Sequence, residues 1–160
     1  MESERKKRMI RVMFVCHGNI CRSPMAEFIM KKLAAESGLG DELFISSSAT
    51  STEELGNPVY PPARAELAAH GMSCRGKTAV QLKKSDYDRY DLFVGMDSAN
   101  IRNMNRIFGS DKEEKIYKLL TFAGRGSDVS DPWYSGDFGT AYRDIEEGCR
   151  GLLSFIKERL

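Results

Sequence analysis

From Met9 to Val15 the chain is apolar at every position except Arg11. A run this continuous suits a strand buried on both faces of a parallel sheet, because a half-buried strand alternates apolar with polar residues. Cys16 ends the run. After a short loop, Ser23 can cap a helix with Pro24 in its first turn, and Met25, Ile29 and Leu33 recur at intervals of four until Gly38. The chain thus opens as strand, tight loop, helix, and the alternation repeats. Leu43 to Ser47 predicts a second strand, Leu92 to Met96 a third and Ile116 to Leu120 a fourth. A loop with Gly56, Asn57, Pro58, Pro61 and Pro62 leads into a helix closed by His70-Gly71, and Ser98 caps a helix carrying Ile101, Met104 and Phe108. A polar, Gly-rich loop from about Ala123 to Gly139 precedes a last helix with Tyr142, Ile145, Cys149, Leu152 and Ile156 along one stripe. Such alternation predicts an α/β fold, a four-stranded parallel sheet with helices on both faces.

At 160 residues the chain has the length of one domain, expected over 9–160 after a basic tail over 1–8. Its 24 basic and 23 acidic side chains leave a formal charge of +1, which gives no global case for nucleic acid or an anionic membrane as partner. Arg11 interrupts the one stretch that a signal peptide would need, and no segment approaches the roughly 20 apolar residues of a membrane span. A cytoplasmic protein is expected. The four cysteines, Cys16, Cys21, Cys74 and Cys149, are too few and too unevenly spaced for a secreted disulfide framework, so their thiols invite a catalytic or metal reading.

In such folds ligands bind beyond the carboxyl ends of the strands, where Cys16-His17-Gly18-Asn19-Ile20-Cys21-Arg22-Ser23 lies. A cysteine followed six residues later by arginine can fold into a phosphate-binding loop whose backbone N–H groups point inward at a helix N-terminus. Gly18 permits close approach of the backbone, and Asn19 tolerates a left-handed conformation. Arg22 brings a planar fork able to hold two phosphate oxygens. The N–H dipoles and Arg22 favour Cys16 as thiolate, to which Ser23 can donate a hydrogen bond. Attack of that thiolate on phosphorus gives a phosphocysteine that water must later hydrolyse. A proton must also reach the departing oxygen. Asp131, followed by Pro132, Trp133 and Tyr134, is the best-placed acid, serving as base toward water in the second step. Pro132 stiffens the backbone beside it, and the aromatic pair offers walls for a ring.

The segment CHGNICRSP from Cys16 to Pro24, with the late Asp131-Pro132 pair, resembles the low-molecular-weight protein tyrosine phosphatases. The likeness extends over SSSATSTEELGNP from Ser46 to Pro58, His70-Gly71, Met96-Asp97 to Asn105, and DPWY from Asp131. It implies a phosphotyrosine-bearing protein as substrate, a phosphocysteine intermediate, and no metal or other cofactor. It also implies that Asn19 holds the loop through hydrogen bonds with its neighbours and that Cys21 forms a reversible disulfide with Cys16. His17 stands where many relatives carry an apolar residue, and Glu53 where some present an aromatic wall. Ile20, Glu53, Trp133 and Tyr134 are therefore the expected substrate walls.

Several readings compete. Cys16-x4-Cys21 beside His17 suggests a metal, but a closed zinc site needs four ligands and Cys74 and Cys149 supply no second close pair. Asp128 and Asp137 compete with Asp131 for the acid role. His70 is read as structural, bracing the loop near Asn19. Arginine-directed relatives of the same architecture make protein arginine phosphatase the alternative activity, but they carry threonine where Ile20 stands. Arsenate reduction by the same loop would need a relay of further thiols.

Overall fold

The structure, a computed structural model, describes residues 9–160; the basic tail expected over 1–8 lies outside the described residues. Four strands, β1 (Ile10–Cys16), β2 (Leu43–Ala49), β3 (Leu92–Gly95) and β4 (Ile116–Lys118), form one sheet in the order β2-β1-β3-β4. Every pairing is parallel. The helices are α1 (Arg22–Glu36), α2 (Pro61–Ala69), α3 (Ser98–Phe108), the single turn α4 (Pro132–Ser135) and α5 (Phe138–Lys157).

Strand β1 explains why both faces are covered. Its Val12 and Phe14 side chains join a core that includes Met25, Ile29 and Leu33 of α1 and Ile145, Cys149 and Leu152 of α5. Met13 and Val15 point the other way, into a second cluster with Phe93, and with Met104 and Phe108 of α3. Alternate residues of one strand therefore serve two apolar cores, which is what its continuous apolar run requires.

Several ends differ from the sequence expectation. Asp97, not Ser98, caps α3: its side chain accepts from the Asn100 N–H at 2.8 Å, while Asn100 Oδ1 accepts from the Asp97 N–H at 3.1 Å. That reciprocal pair is a capping box with asparagine in the usual Glu/Gln place. Ser23 caps nothing, since its hydroxyl is committed elsewhere. The fourth strand stops at Lys118, where Leu119 and Leu120 turn inward on a 3₁₀ segment, Leu119–Ala123. His70 ends α2, stacks on Tyr142 at 3.8 Å and faces Glu66, so it does not brace the loop near Asn19.

Candidate active site

The order β2-β1-β3-β4 reverses direction between β1 and β3, and the chain leaves both strands at the same edge of the sheet. A crevice at such a switch point is where parallel sheets place ligands. Here the loop after β1 supplies Cys16 to Arg22, and the turn after β3 supplies Asp97. They meet directly: Arg22 Nη2 donates to Asp97 Oδ2 at 2.8 Å.

Cys16 is the last residue of β1 and is buried at the floor of a cleft of about 420 Å³. The Asn19 backbone N–H points at its sulfur from 3.3 Å. That direction depends on Asn19 sitting in the left-handed region, φ 60°. Most side chains resist this conformation, and here hydrogen bonds on all sides hold it. The Asn19 amide donates to Ser23 Oγ (2.7 Å) and Ser47 Oγ (3.0 Å), while its Oδ1 accepts from the Val80 N–H (3.1 Å). Ser23 Oγ also lies 3.0 Å from Cys16 Sγ. Behind Ser47 stands the buried Glu27, which accepts from Ser47 Oγ at 2.6 Å and pairs with Lys31 at 2.6 Å. Lys77 donates to the Ser47 carbonyl at 3.0 Å. Its burial holds the ammonium below the usual lysine range, against the pull of Glu27. The loop thus rests on a polar network that reaches from the sulfur through to α1.

Among the described residues no side chain caps α1, whose N-cap is Cys21; Pro24 lacks an N–H and the Met25 N–H donates to the Cys21 carbonyl, which leaves the Arg22 and Ser23 amides of the first turn to an anion. Arg22, the first helical residue, is buried. Its guanidinium donates to the Val129 carbonyl (2.9 Å), to Asp97 (2.8 Å) and to Asp131 Oδ2 (3.4 Å). Burial opposes its charge, yet the neighbouring Cys16, Asp131 and Asp97 outweigh it and raise its pKa. Asp131 is held from the other side as the N-cap of α4, with Oδ1 accepting from the Trp133 N–H at 3.1 Å. Of the competing carboxylates, Asp128 is tied to Lys118 at 3.0 Å, and Asp137 caps α5 by accepting from the Thr140 N–H. Neither lines the cleft.

The cleft brings together the sequence-expected residues from His17 to Arg22 with Cys16, Glu53, Asp131, Trp133 and Tyr134. Ser23 is the exception, fully buried behind the sulfur. Trp133 packs on Tyr60, ring centroids 4.9 Å apart, and Trp133 and Tyr134 are 51% and 86% exposed. Ile20 lines the cleft but also belongs to a small apolar cluster with Cys21 and Ala79. Cys21 is buried beside Cys16, and all four cysteines are free. Burial, reinforced by Cys16 and Asp131, pushes the Cys21 thiol up to about 12. Cys74 and Cys149 lie outside the cleft. Sequence reasoning passed over Asp97, Glu54, Tyr60 and the Val129 carbonyl. Asp97 was the one with a signal, an acid directly after the third strand. Among the described residues no three His, Cys, Asp or Glu side chains gather as a metal-binding group, and no helix is long and apolar enough to cross a membrane.

Residues 11–160 match the family model described as low molecular weight phosphotyrosine protein phosphatase. The chain is 37% identical over 152 residues to the low molecular weight protein-tyrosine-phosphatase YfkJ of Bacillus subtilis, covering 94% of this chain and 97% of that one. It is 34% identical over 147 residues to the human low molecular weight phosphotyrosine protein phosphatase, covering 89% and 92%. The crystal structure of the Bacillus subtilis protein superposes with a TM-score of 0.91 over 94% of this chain and 96% of that one. That of a Drosophila arginine phosphatase, 28% identical, does so with 0.85 over 92% and 98%.

Proposed function

The chain belongs to the low-molecular-weight phosphotyrosine protein phosphatase family, and from that premise we propose that it hydrolyses phosphotyrosine on protein substrates through a phosphocysteine at Cys16. The observation that carries this reading is the convergence on one cleft of a sulfur faced by an inward N–H, a guanidinium and a carboxylate, from the loop after β1 and the turn of α4.

Each group has a defined task. The Cys16 thiolate attacks phosphorus in line, while Arg22 and the loop amides hold the phosphoryl oxygens as charge builds on them. Val129 and Asp97 hold Arg22 at 2.9 and 2.8 Å, and the longer 3.4 Å contact to Asp131 is the one a phosphate displaces, which frees both the guanidinium edge and the carboxyl group for the reaction. Asp131 gives its proton to the departing phenol oxygen; as carboxylate it then takes a proton from the water that attacks phosphocysteine. Ser23 steadies the sulfur as it becomes the leaving group. No step calls for a metal or cofactor. Cys21, beside Cys16 in the cleft, is positioned to trap an oxidised Cys16 as a reversible disulfide. We place the protein in the cytoplasm, where free thiols of this kind persist.

Phosphoarginine is the rival substrate, raised by the Drosophila neighbour. Ile20 speaks for tyrosine, since an apolar wall favours a flat phenol whereas a guanidinium N–H facing it forgoes a hydrogen bond worth about 1–3 kcal/mol. Arsenate reduction lacks support because Cys74 and Cys149 are buried away from the cleft. Matched phosphotyrosine and phosphoarginine peptides test the assignment by kcat/KM. The wild type is expected to favour phosphotyrosine, with Ile20→Thr shifting the ratio toward phosphoarginine by about tenfold to a hundredfold. Faster wild-type turnover of phosphoarginine overturns it.

A further inference from the structure

The cleft binds an anion at its floor but carries the opposite sign at its mouth. Four carboxylates, Glu53, Glu54, Asp97 and Asp131, line it against the Arg22 guanidinium and the His17 imidazole. Asp97 and Asp131 share Arg22 and belong to the floor. Glu53 and Glu54 belong to the rim. Their segment is pinned over the phosphate loop where the Thr50 and Ser51 N–H groups donate to the carbonyls of Cys16 and His17, at 3.0 and 3.1 Å. Glu53 Oε2 stands 3.2 Å from His17 Nε2, both side chains more than half exposed. Glu54 lays its stem over Gly18, so closely that a Cβ there would stand 3.3 Å from Glu54 Cγ, and its Oε1 accepts from Asn57 Nδ2 at 2.8 Å. Among the described residues neither glutamate is bridged to a lysine or arginine.

We infer that this acidic rim selects phosphotyrosine segments flanked by lysine or arginine and disfavours those with acidic flanks, a substrate class that deepens the phosphatase reading and rests on it. The phosphoryl group meets the same floor in every substrate, so the floor cannot rank them. The residues beside the phosphotyrosine pass the rim as they leave the cleft, and there the sign of their charge decides. One exposed pair contributes only about two- to fivefold. Two rim carboxylates act in the same direction, attracting basic flanks and repelling acidic ones, which yields about tenfold between the extremes at low salt. His17 tempers the effect without reversing it, since one imidazole faces two carboxylates. Because Glu53 is exposed and Glu54 only partly buried, salt must weaken the preference.

The test measures kcat/KM on three phosphotyrosine peptides that differ only in flanking lysine, alanine or glutamate pairs, with free phosphotyrosine as the flankless standard. Wild type, Glu53→Gln, the double variant Glu53→Gln/Glu54→Gln and Glu53→Lys are compared at low salt and at about 0.5 M salt. The lysine peptide is expected to exceed the glutamate peptide about tenfold in the wild type at low salt. That gap should narrow in high salt and in both glutamine variants, and close in Glu53→Lys, where the new lysine offsets Glu54. The single substitutions, at a side chain 67% exposed, keep the comparison available if the double variant does not fold. Equal rates on all three peptides, or a gap that survives salt and every substitution, overturn the inference while leaving the phosphatase reading intact. Failure to hydrolyse free phosphotyrosine overturns that reading, and the inference with it.

Discussion

Cys21 shows how one residue's surroundings set its use. It lies beside the proposed nucleophile, yet burial and the nearby Cys16 and Asp131 push its thiol up to about 12, so at neutral pH it is a protonated, unreactive sulfur. A disulfide with oxidised Cys16 requires Cys21 as thiolate, the minor form at pH 7. Sulfenic acid at Cys16 is neutral, which removes part of the push and eases closure once oxidation has occurred. The sign is then fixed: while pH remains below the thiol's pKa, the thiolate fraction, and with it the closure rate, rises about tenfold per pH unit. Disulfide formation after a peroxide pulse, followed by mass spectrometry between pH 7 and 9, is expected to accelerate accordingly, and Cys21→Ser is expected to recover poorly under thiol reductant. Closure that is flat with pH, or recovery identical in wild type and variant, removes Cys21 from this role.

At the scale of elements, α5 lies against the 3₁₀ segment that follows β4, and two glycines make that approach possible. A Cβ on Gly151 would stand 2.1 Å from the Phe122 carbonyl oxygen, and one on Gly148 2.5 Å from Leu119 Cγ. Alanine favours a helix over glycine by about 1 kcal/mol, so propensity alone predicts stabilisation at both positions. Overpacking against a backbone carbonyl wins instead, and Gly151→Ala is expected to destabilise by about 1–3 kcal/mol. Gly139, in the first turn of the same helix, meets only ordinary contacts, the nearest at 3.6 Å. Gly139→Ala should therefore stabilise, by about 0.4–1 kcal/mol. Denaturant midpoints of the two variants check the contrast, and a stabilising Gly151→Ala contradicts the packing. Elements of this kind were legible in sequence where one physical signal dominated, as in the apolar run of β1 and the Met25, Ile29, Leu33 stripe of α1. Their ends were not. Ser23 and Ser98 both looked like caps, but Ser23 is drawn to the sulfur and Asn19, and Asp97 reaches the α3 amide that Ser98 was expected to take. Both outcomes turn on which of several nearby polar groups wins a contact only three to seven residues away, a competition that residue type alone does not decide.

At the scale of the whole molecule, the sheet order puts the ends of β1 and β3 side by side and so brings together groups more than a hundred residues apart, as in the Arg22–Asp131 contact. The loop from Cys16 to Arg22 was readable because seven consecutive residues carry its chemistry. The network beneath it, Ser47, Glu27 and Lys77, was not, because each is ordinary in its own segment and meaningful only where β2, α1 and the segment after α2 converge. The proposed mechanism divides the labour across this cleft, with Cys16 attacking and Asp131 serving the leaving group. The most direct measurement is kcat of Asp131→Asn on aryl phosphates of graded leaving-group pKa, beside Cys16→Ser as the variant expected to bind phosphate without turnover. A loss of roughly 10²–10⁴ is expected for poor leaving groups and a much smaller one for nitrophenyl phosphate, whose anion departs without a proton. Equal losses across the series would contradict this division of labour.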